Sequence, residues 1–276
     1  MQSITLINGD HSFSWYDSSH DTILRTFEGF EYAQPIVVIE NLPGQQGAHY
    51  ITSKFGRRVV SFQGDIVGSD IFTKRRELLS AMEQGNLKTL KFTTYDDLDL
   101  QIEGEVTRVL NPYTHAIHTF LIEFTSPDYR LFSQELHNES TSPTNATGGS
   151  PLPTALPMSF ASPSGTENLE ITNAGDTNSP PILRIHGPGE SFVIQNTTTG
   201  EIMQVDITLA SSNDVVEIDI KNKTAYLNTV TNVYGLVTGD WFELAPGMNS
   251  IYFNLLSLSA SLTSLEVEWR DAYKGL

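Results

Sequence analysis

The stretch Leu265-Glu-Val-Glu-Trp269 decides the fold class of this chain. Its three apolar side chains share one face and its two glutamates share the other, which is the period-two pattern of a strand with one buried face. Similar short runs, separated by turn residues, recur through the second half of the chain: Pro181–Ile185, Phe192–Ile194, Val215–Ile220 and Ile251–Phe253. This spacing predicts an antiparallel β-sandwich, a fold that requires no catalytic residues.

The first half of the chain is predicted to be β-rich with a single helix, from about Asp70 to Gln84. Ser69 or Asp70 is suited to cap its N-terminus, and Gly85 fits the position after its last turn. Helical spacing predicts one apolar face, made of Ile71, Leu78, Leu79 and Met82.

Strands are predicted on both sides of this helix. The apolar run within Gln34–Leu42 is predicted to be a buried or an edge strand, and Arg57–Gly64 alternates enough to form another. Three further strands are predicted after the helix: Leu87–Thr93, Leu98–Val109 and His118–Phe124.

A segment rich in Ser, Thr, Pro and Gly, residues 141–165, divides the sequence. Such a composition discourages regular structure and is typical of a domain boundary. We therefore predict an N-terminal domain over residues 1–137, a linker over 138–165 and a C-terminal β-sandwich over 166–276.

The composition excludes several classes of function. The 276 residues carry a formal net charge of −17, which disfavours binding to nucleic acid and to anionic membranes. The absence of cysteine rules out disulfides, thiol catalysis and cysteine-ligated zinc. Neither a signal peptide nor an apolar run of membrane-spanning length is recognised, so no membrane insertion is predicted.

Candidate chemical sites are weak throughout the sequence. His115 and His118 face opposite sides of a strand, and the acidic run at Asp96, Asp97 and Asp99 lacks the glycine and distal glutamate of a calcium loop. Two carboxylate pairs have the residue types of a glycosidase, but their separation in space is not fixed by the sequence: Asp17 with Asp21, and Glu103 with Glu105. We predict no catalytic, cofactor-binding or metal-binding residues, and no enzymatic activity.

Two groups of side chains allow alternative interpretations. The only basic concentration is either a solvated helix face plus a charged strand edge, or an electrostatic contact between copies of an otherwise acidic protein; it consists of Lys54, Arg57, Arg58, Lys74, Arg75 and Arg76. A set of C-terminal aromatic residues is either sandwich core or a platform for stacking sugars; it consists of Tyr226, Tyr234, Trp241, Phe242, Tyr252 and Trp269.

The chain resembles the distal tail proteins (Dit) of long-tailed, non-contractile bacteriophages along nearly its whole length. The N-terminal motifs that carry the resemblance are Gly44–Gly47, the strand containing Arg57 and Arg58, Arg75–Leu79, and Ile122–Asp128. The C-terminal motifs are Ile171–Asp176, Pro181–Gly187, Val216–Asp219, Trp241–Gly247 with Asn249, and Trp269–Gly275.

This resemblance implies an N-terminal ring-forming domain and a C-terminal galectin-like β-sandwich. It further implies a homohexameric hub ring, with an axial channel for DNA, that joins the tail tube protein to tail tip or baseplate proteins. The protein would be made in the host cytoplasm and located in the virion. A host-surface saccharide is the alternative partner, while sequence-specific binding to nucleic acid is not expected.

Overall fold

The computed structural model describes residues 3–15, 22–44, 46–68, 70–83, 85, 87–111, 117–143, 168–255 and 263–276. The chain forms two compact units. Unit 1 comprises Met1–Glu135 together with Ala272–Leu276, and unit 2 comprises Leu136–Asp271. These bounds differ from the predicted domains at two places. The predicted linker begins at residue 138, within a strand of unit 2, and the last five residues belong to unit 1 because they pair there.

Unit 1 is built on a nine-stranded antiparallel sheet. Its elements are β1 (Ser3–Asn8), β2 (His11–Trp15), β3 (Thr22–Glu28), β4 (Pro35–Asn41), β5 (Ala48–Phe55), β6 (Arg58–Ile66), α1 (Ile71–Ala81), β7 (Lys88–Thr93), β8 (Asp99–Leu110), β9 (His118–Ser126) and β10 (Leu131–Ser133), with the final strand β22 (Ala272–Tyr273). The strand order is β2-β1-β7-β8-β9-β6-β3, and β10 pairs with both β8 and β22. Strands β4 and β5 form a separate two-stranded sheet.

The core of unit 1 is aromatic. Trp15 is fully buried and meets Phe13 and Phe62 edge-on, with ring centroids 4.9 and 4.8 Å apart. Phe30 packs edge-on against Phe92 at 4.6 Å. Edge-to-face pairs of this kind are favourable beyond the area that they bury, and they fix the strands in register.

Helix α1 buries Ile71, Leu78 and Ala81, and the last two belong to this core. The predicted apolar face was wrong at Leu79, which is 40% exposed. Adjacent helical residues lie about 100° apart, so only one of Leu78 and Leu79 faces the sheet. Asp70 occupies the N-cap position without a capping hydrogen bond from its side chain, and Ser69 and Gln84 lie outside the described residues.

Unit 2 is a sandwich of two antiparallel sheets around one apolar core. Its strands are β11 (His137–Thr141), β12 (Leu169–Asn173), β13 (Ile182–His186), β14 (Gly189–Asn196), β15 (Glu201–Leu209), β16 (Val215–Asp219), β17 (Thr224–Leu227), β18 (Thr231–Asn232), β19 (Val237–Gly239), β20 (Gly247–Leu255) and β21 (Ser264–Trp269), with a 3-10 turn η1 (Tyr234–Leu236). One sheet has the order β11-β21-β13-β16-β17-β18, and the other β12-β20-β14-β15-β19.

The alternating stretch that opened the sequence analysis is β21. Leu265 and Val267 are fully buried, while Glu266 and Glu268 lie on the outer face and both contact Arg184, at 3.3 and 3.0 Å. The hydrogen bond from Arg184 to Glu268 is the main cause that raises the pKa of Arg184 above its ordinary value. The prediction of a mainly β protein with a single α-helix is confirmed in the described residues. Within them, no helix has the length and apolar character needed to cross a membrane.

Candidate assembly site

The hairpin formed by β4 and β5, residues 35–55, is exposed along nearly its whole length, and we call it the arm. Among the described strands, β4 and β5 pair only with each other. Seven large apolar side chains of the arm are exposed by 38 to 59%: Ile36, Val37, Val38, Ile39, Leu42, Tyr50 and Ile51. A two-stranded hairpin is marginally stable in water, and a concentrated apolar surface of this kind marks an interaction site.

Neither face of the arm is covered by the residues that the structure describes. Val37 and Val38 are neighbours on β4, so their side chains point to opposite faces, and they are 52% and 38% exposed. The predicted alternatives for this run were a buried or an edge strand, and the buried alternative is wrong. Apolar and polar residues do not alternate in this run because both faces of the strand carry apolar side chains. Both faces are nevertheless exposed in the described structure.

The base of the arm is held by stacked aromatic rings. Phe55, the last residue of β5, stacks on Tyr129 with ring centroids 4.7 Å apart and an interplanar angle of 19°. Tyr32, which precedes β4, meets the same Phe55 ring edge-on at 5.2 Å. Both ends of the arm are therefore attached to the body of unit 1.

Arg58, at the start of β6, binds the backbone around the base of the arm. Its Nη1 donates to the carbonyl oxygens of Gly29 and Glu31, both at 2.7 Å, and its Nε donates to that of Tyr129 at 2.8 Å. Its Nη2 donates to the carbonyl oxygen of Lys274. Arg58 is 2% exposed, and burial lowers its pKa to about 10, against the opposing charges of Glu31 and Asp128. The guanidinium therefore stays charged at neutral pH and joins four carbonyls from three segments of the chain.

Two glycines allow the backbone segments to approach one another at this base. Gly29 has a φ of +88°, and a Cβ there would lie 2.0 Å from the carbonyl oxygen of Val59. A Cβ on Gly275 would lie 2.4 Å from the carbonyl oxygen of Glu31. Only glycine fits such contacts without displacing backbone. The closing motif Trp269–Gly275 thus ends in the base of the arm.

In unit 2, the motif residues that carried the resemblance form buried polar junctions. Asn249 is fully buried, donates from Nδ2 to the carbonyl oxygens of Ala245 and Gly247, and accepts from the Ala245 amide and from Asn196. Asn173, also fully buried, donates to the carbonyl oxygens of Thr177 and Leu244. In the loops between strands, these side-chain amides thus provide the hydrogen bonds that backbone groups provide to one another within a sheet.

The closing motif takes part in the same junctions. The Trp269 indole donates to the carbonyl oxygen of Thr172 at 3.1 Å, and the Asp271 carboxylate accepts from the Ala174 amide at 2.8 Å. The sequence of residues 174–273 matches the family model described as "Siphovirus-type tail component, C-terminal domain". This part of unit 2 is therefore similar to the siphovirus-type tail component, and we call it the tail component domain after that similarity. No protein with curated function matches the sequence.

The whole chain has the fold of known Dit proteins. The crystal structure of SPP1 Dit, described as a paradigm of the hub adsorption apparatus in phages that infect Gram-positive bacteria, is similar with a TM-score of 0.65 and 11% identity, over 98% of both chains. Chains in the activated baseplate of phage P2, solved with calcium and with strontium, are similar with TM-scores of 0.50 and 10% identity, over 97% of both chains. The resemblance to the Dit family that the sequence indicated is confirmed.

The basic residues singled out in the sequence do not act as one cluster. Arg58 is buried at the base of the arm, while Arg57 is exposed beside it. Arg76 is exposed on α1, and Lys74 is paired with Glu77 at 3.6 Å. The interpretation as a solvated helix face plus a charged strand edge is wrong at Arg58, because alternation along β6 turns that side chain inward.

The acidic and histidine candidates occupy separate places. The turn between β7 and β8 contains Asp96 and Asp97, and Thr94 donates to Asp96, which lowers the pKa of that carboxyl. Glu105 accepts from the buried Lys88 at 2.6 Å. His118 is buried, and His115, Asp17 and Asp21 lie outside the described residues. In the described ranges, no three His, Cys, Asp or Glu side chains are grouped to hold a metal ion.

Most aromatic candidates of the tail component domain belong to its core. Phe242 and Trp269 are buried, and Trp241 packs partly buried against the core. Tyr234 is 49% exposed and stacks on Trp241 with centroids 5.4 Å apart. Tyr226 is 36% exposed. The exposed aromatic candidates of this domain are therefore Tyr226 and Tyr234, and Tyr234 is the one that stacks on a second aromatic ring.

Sequence reasoning missed the arm as a functional element. The signal was present, because Ile36–Ile39 is a continuous apolar run beside the glycine-rich turn Gly44–Gly47. A run of this kind is typical of a strand buried on both faces. Burial by the same chain and burial by another molecule leave the same pattern in a sequence.

Proposed function

We propose that this protein is a structural component of the virion that forms a hexameric hub ring at the distal end of a phage tail. The ring joins the tail tube protein to tail tip or baseplate proteins and leaves an axial channel for DNA. The observation that carries the proposal is the Dit fold over the whole length of the chain, together with the tail component domain in unit 2. The role is structural, and no enzymatic step is assigned.

Two properties of the chain support this assignment. The arm gives unit 1 an exposed apolar surface on a firmly anchored hairpin, which suits repeated contacts between identical subunits. Head-to-tail contacts between subunits close into a ring when the rotation between neighbours divides a full turn. The net charge of −17 disfavours retention of DNA, which suits a passage through which the genome moves.

Light scattering and negative-stain electron microscopy of the purified protein test the proposal. We expect six times the mass of one chain and a six-fold ring with a central hole. A preparation that is monomeric alone is expected to form rings when mixed with tail tube and tail tip proteins. A stable monomer that never enters tails would contradict the proposal.

A second candidate function is binding of a host-surface saccharide by the tail component domain. The supporting observation is the stack of Tyr234 on Trp241, since an exposed aromatic ring presents an apolar face. We expect any glycan binding to be lost in Tyr234→Ala and kept in Tyr252→Ala, whose ring is only partly exposed. Silence of the unsubstituted protein on a glycan array would eliminate this candidate.

A further inference from the structure

We propose that the arm of one copy docks on the outer face of helix α1 in the next copy around the ring. This inference rests on the proposed hub ring and names the contact that closes it. The occupant of the arm surface is then a second copy of this chain. The receiving surface, which we call the helix patch, consists of Phe72 and Leu79.

The helix patch is apolar and exposed. Phe72 and Leu79 are 43% and 40% exposed, and their separation of seven residues places them on one face of α1. The Phe72 ring meets the buried His118 edge-on at 5.7 Å, which fixes the position of the ring at the start of the helix. This surface matches the arm in chemical character, since both are large aliphatic and aromatic side chains.

The arm and the helix patch lie at opposite ends of β6. The arm joins this strand at Arg58, and α1 follows its last residue, Ile66. Nine extended residues place those ends about 26 Å apart. A head-to-tail contact requires two different, complementary surfaces on each subunit. Because the arm and the helix patch are this far apart in one copy, the arm is expected to reach the helix patch of a neighbouring copy and not that of its own copy.

Charge favours a second copy over an unrelated partner. With a net charge of −17, two copies of this chain repel each other unless a local positive surface faces the neighbour. On helix α1 the positive charge available for this is Arg76, which is exposed beside the helix patch, whereas Lys74 is paired with Glu77 at 3.6 Å. The arm carries Glu40, exposed near its tip, and Lys54 near its base, so Glu40 is the residue expected to face Arg76. Electrostatic complementarity of this kind orients the encounter between subunits.

The exposed apolar surface of the arm is also large enough to form the centre of a contact between subunits. A standard stable interface buries roughly 800 Å² on each partner. The seven exposed large side chains are divided between the two faces of the hairpin, and those on the docking face form the central part of such an area, with polar residues at the rim.

The absence of cysteine makes disulfide cross-linking a clean test. Each of Val37→Cys, Ile39→Cys and Ile51→Cys is combined with Leu79→Cys, and the protein is oxidised at the concentration where it is assembled. We expect a ladder of covalent species up to six chains on a non-reducing gel. The matched control combines Ile39→Cys with Val230→Cys, which is 80% exposed on unit 2, and is expected to give no ladder beyond the level of single-cysteine variants.

Light scattering of the same samples separates the two proposals. Hexamers with a ladder specific to Leu79→Cys support both the ring and the docking contact. Hexamers without that ladder, or with an equal ladder in the control, overturn the docking contact and leave the ring standing. Absence of hexamers and of cross-links, also after addition of tail tube and tail tip proteins, overturns both.

Discussion

The guanidinium of Arg58 donates a hydrogen bond to the backbone carbonyl of Lys274, 216 residues further along the chain. The same side chain binds the carbonyls of Gly29 and Glu31, which directly precede the arm. The amide of Leu276 donates to the carbonyl of Phe30 at 3.0 Å in the same place. The C-terminal residues of the chain therefore help to hold the base of an N-terminal hairpin.

Substitution of Arg58 is expected to destabilise unit 1 strongly. Arg58→Met removes the donors of four carbonyls, and we expect a loss of about 3 kcal/mol, because each buried acceptor left unpaired costs about 1–3 kcal/mol and the costs are not additive. Urea unfolding followed by circular dichroism measures this loss. Arg58→Lys is expected to recover only part of it, since an ammonium lacks the fork of the guanidinium.

The neighbouring Arg57 provides the control for this measurement. Arg57 is exposed, so Arg57→Met is expected to change the free energy of unfolding by less than about 0.5 kcal/mol. Equal effects of the two substitutions would show that the carbonyl contacts of Arg58 are not what stabilises the base of the arm.

A charge placed on the arm is expected to prevent assembly without unfolding the protein. Ile39 is 59% exposed, so Ile39→Glu is expected to leave the thermal unfolding of the monomer nearly unchanged and to abolish the hexamer. Ile202→Glu on unit 2, where the side chain is 39% exposed, is the matched control and is expected to assemble normally. Sedimentation velocity distinguishes monomer from hexamer. Normal rings from Ile39→Glu would exclude the arm from the contact.

Replacement of one buried amide is expected to destabilise the sandwich of unit 2. Asn249→Asp sets a carboxyl oxygen against the carbonyls of Ala245 and Gly247, which now accept at 2.8 and 3.0 Å from the amide. We expect a loss of about 3 kcal/mol, because a buried group with repelled partners costs more than the neutral bonds it replaces. Asn213→Asp, at an exposed turn, is expected to be nearly neutral in the same urea titration. An equally small effect of Asn249→Asp would contradict the assigned junction.

The Asp214 carboxyl gives a prediction on pH. The Asn228 side chain donates to it at 3.2 Å, and this bond, with those from the backbone of Ser211 and Ala210, lowers its pKa. A carboxyl whose pKa is lower in the folded state contributes stability above its unfolded pKa, and that contribution is lost as pH falls through the folded pKa.

Removal of the Asn228 donor is therefore expected to raise the pKa of Asp214 towards its ordinary value. Carbon-detected NMR titration of the carboxyl in Asn228→Ala measures the change. Asn222→Ala, which removes a partner of Asp219 instead, is expected to leave the pKa of Asp214 where it is. A titration of Asp214 that is the same in Asn228→Ala as in the unsubstituted protein would refute the attribution.

Much of the fold was predictable because it depends on local pattern. Alternation in Leu265–Trp269 marked a strand with one buried face, and the strands after α1 were located to within about two residues. The sequence patterns of the candidate catalytic and metal-binding residues were also weak, and this too has a physical reason. Catalytic and metal sites need converging side chains, and Glu105, one of the carboxylate candidates, instead binds the neighbouring Lys88.

The sequence by itself determined the β-rich character of the two halves, the single helix and the family resemblance, since strand periodicity and turn residues act over a few neighbouring positions. The tertiary structure decided the roles of Arg58 and of the arm. Burial depends on which distant segments meet, and Arg58 is inside only because Gly29, Tyr129 and Lys274 converge on it. The arm is apolar like a core strand, and only the fold shows that its side chains are exposed among the described residues of its own chain.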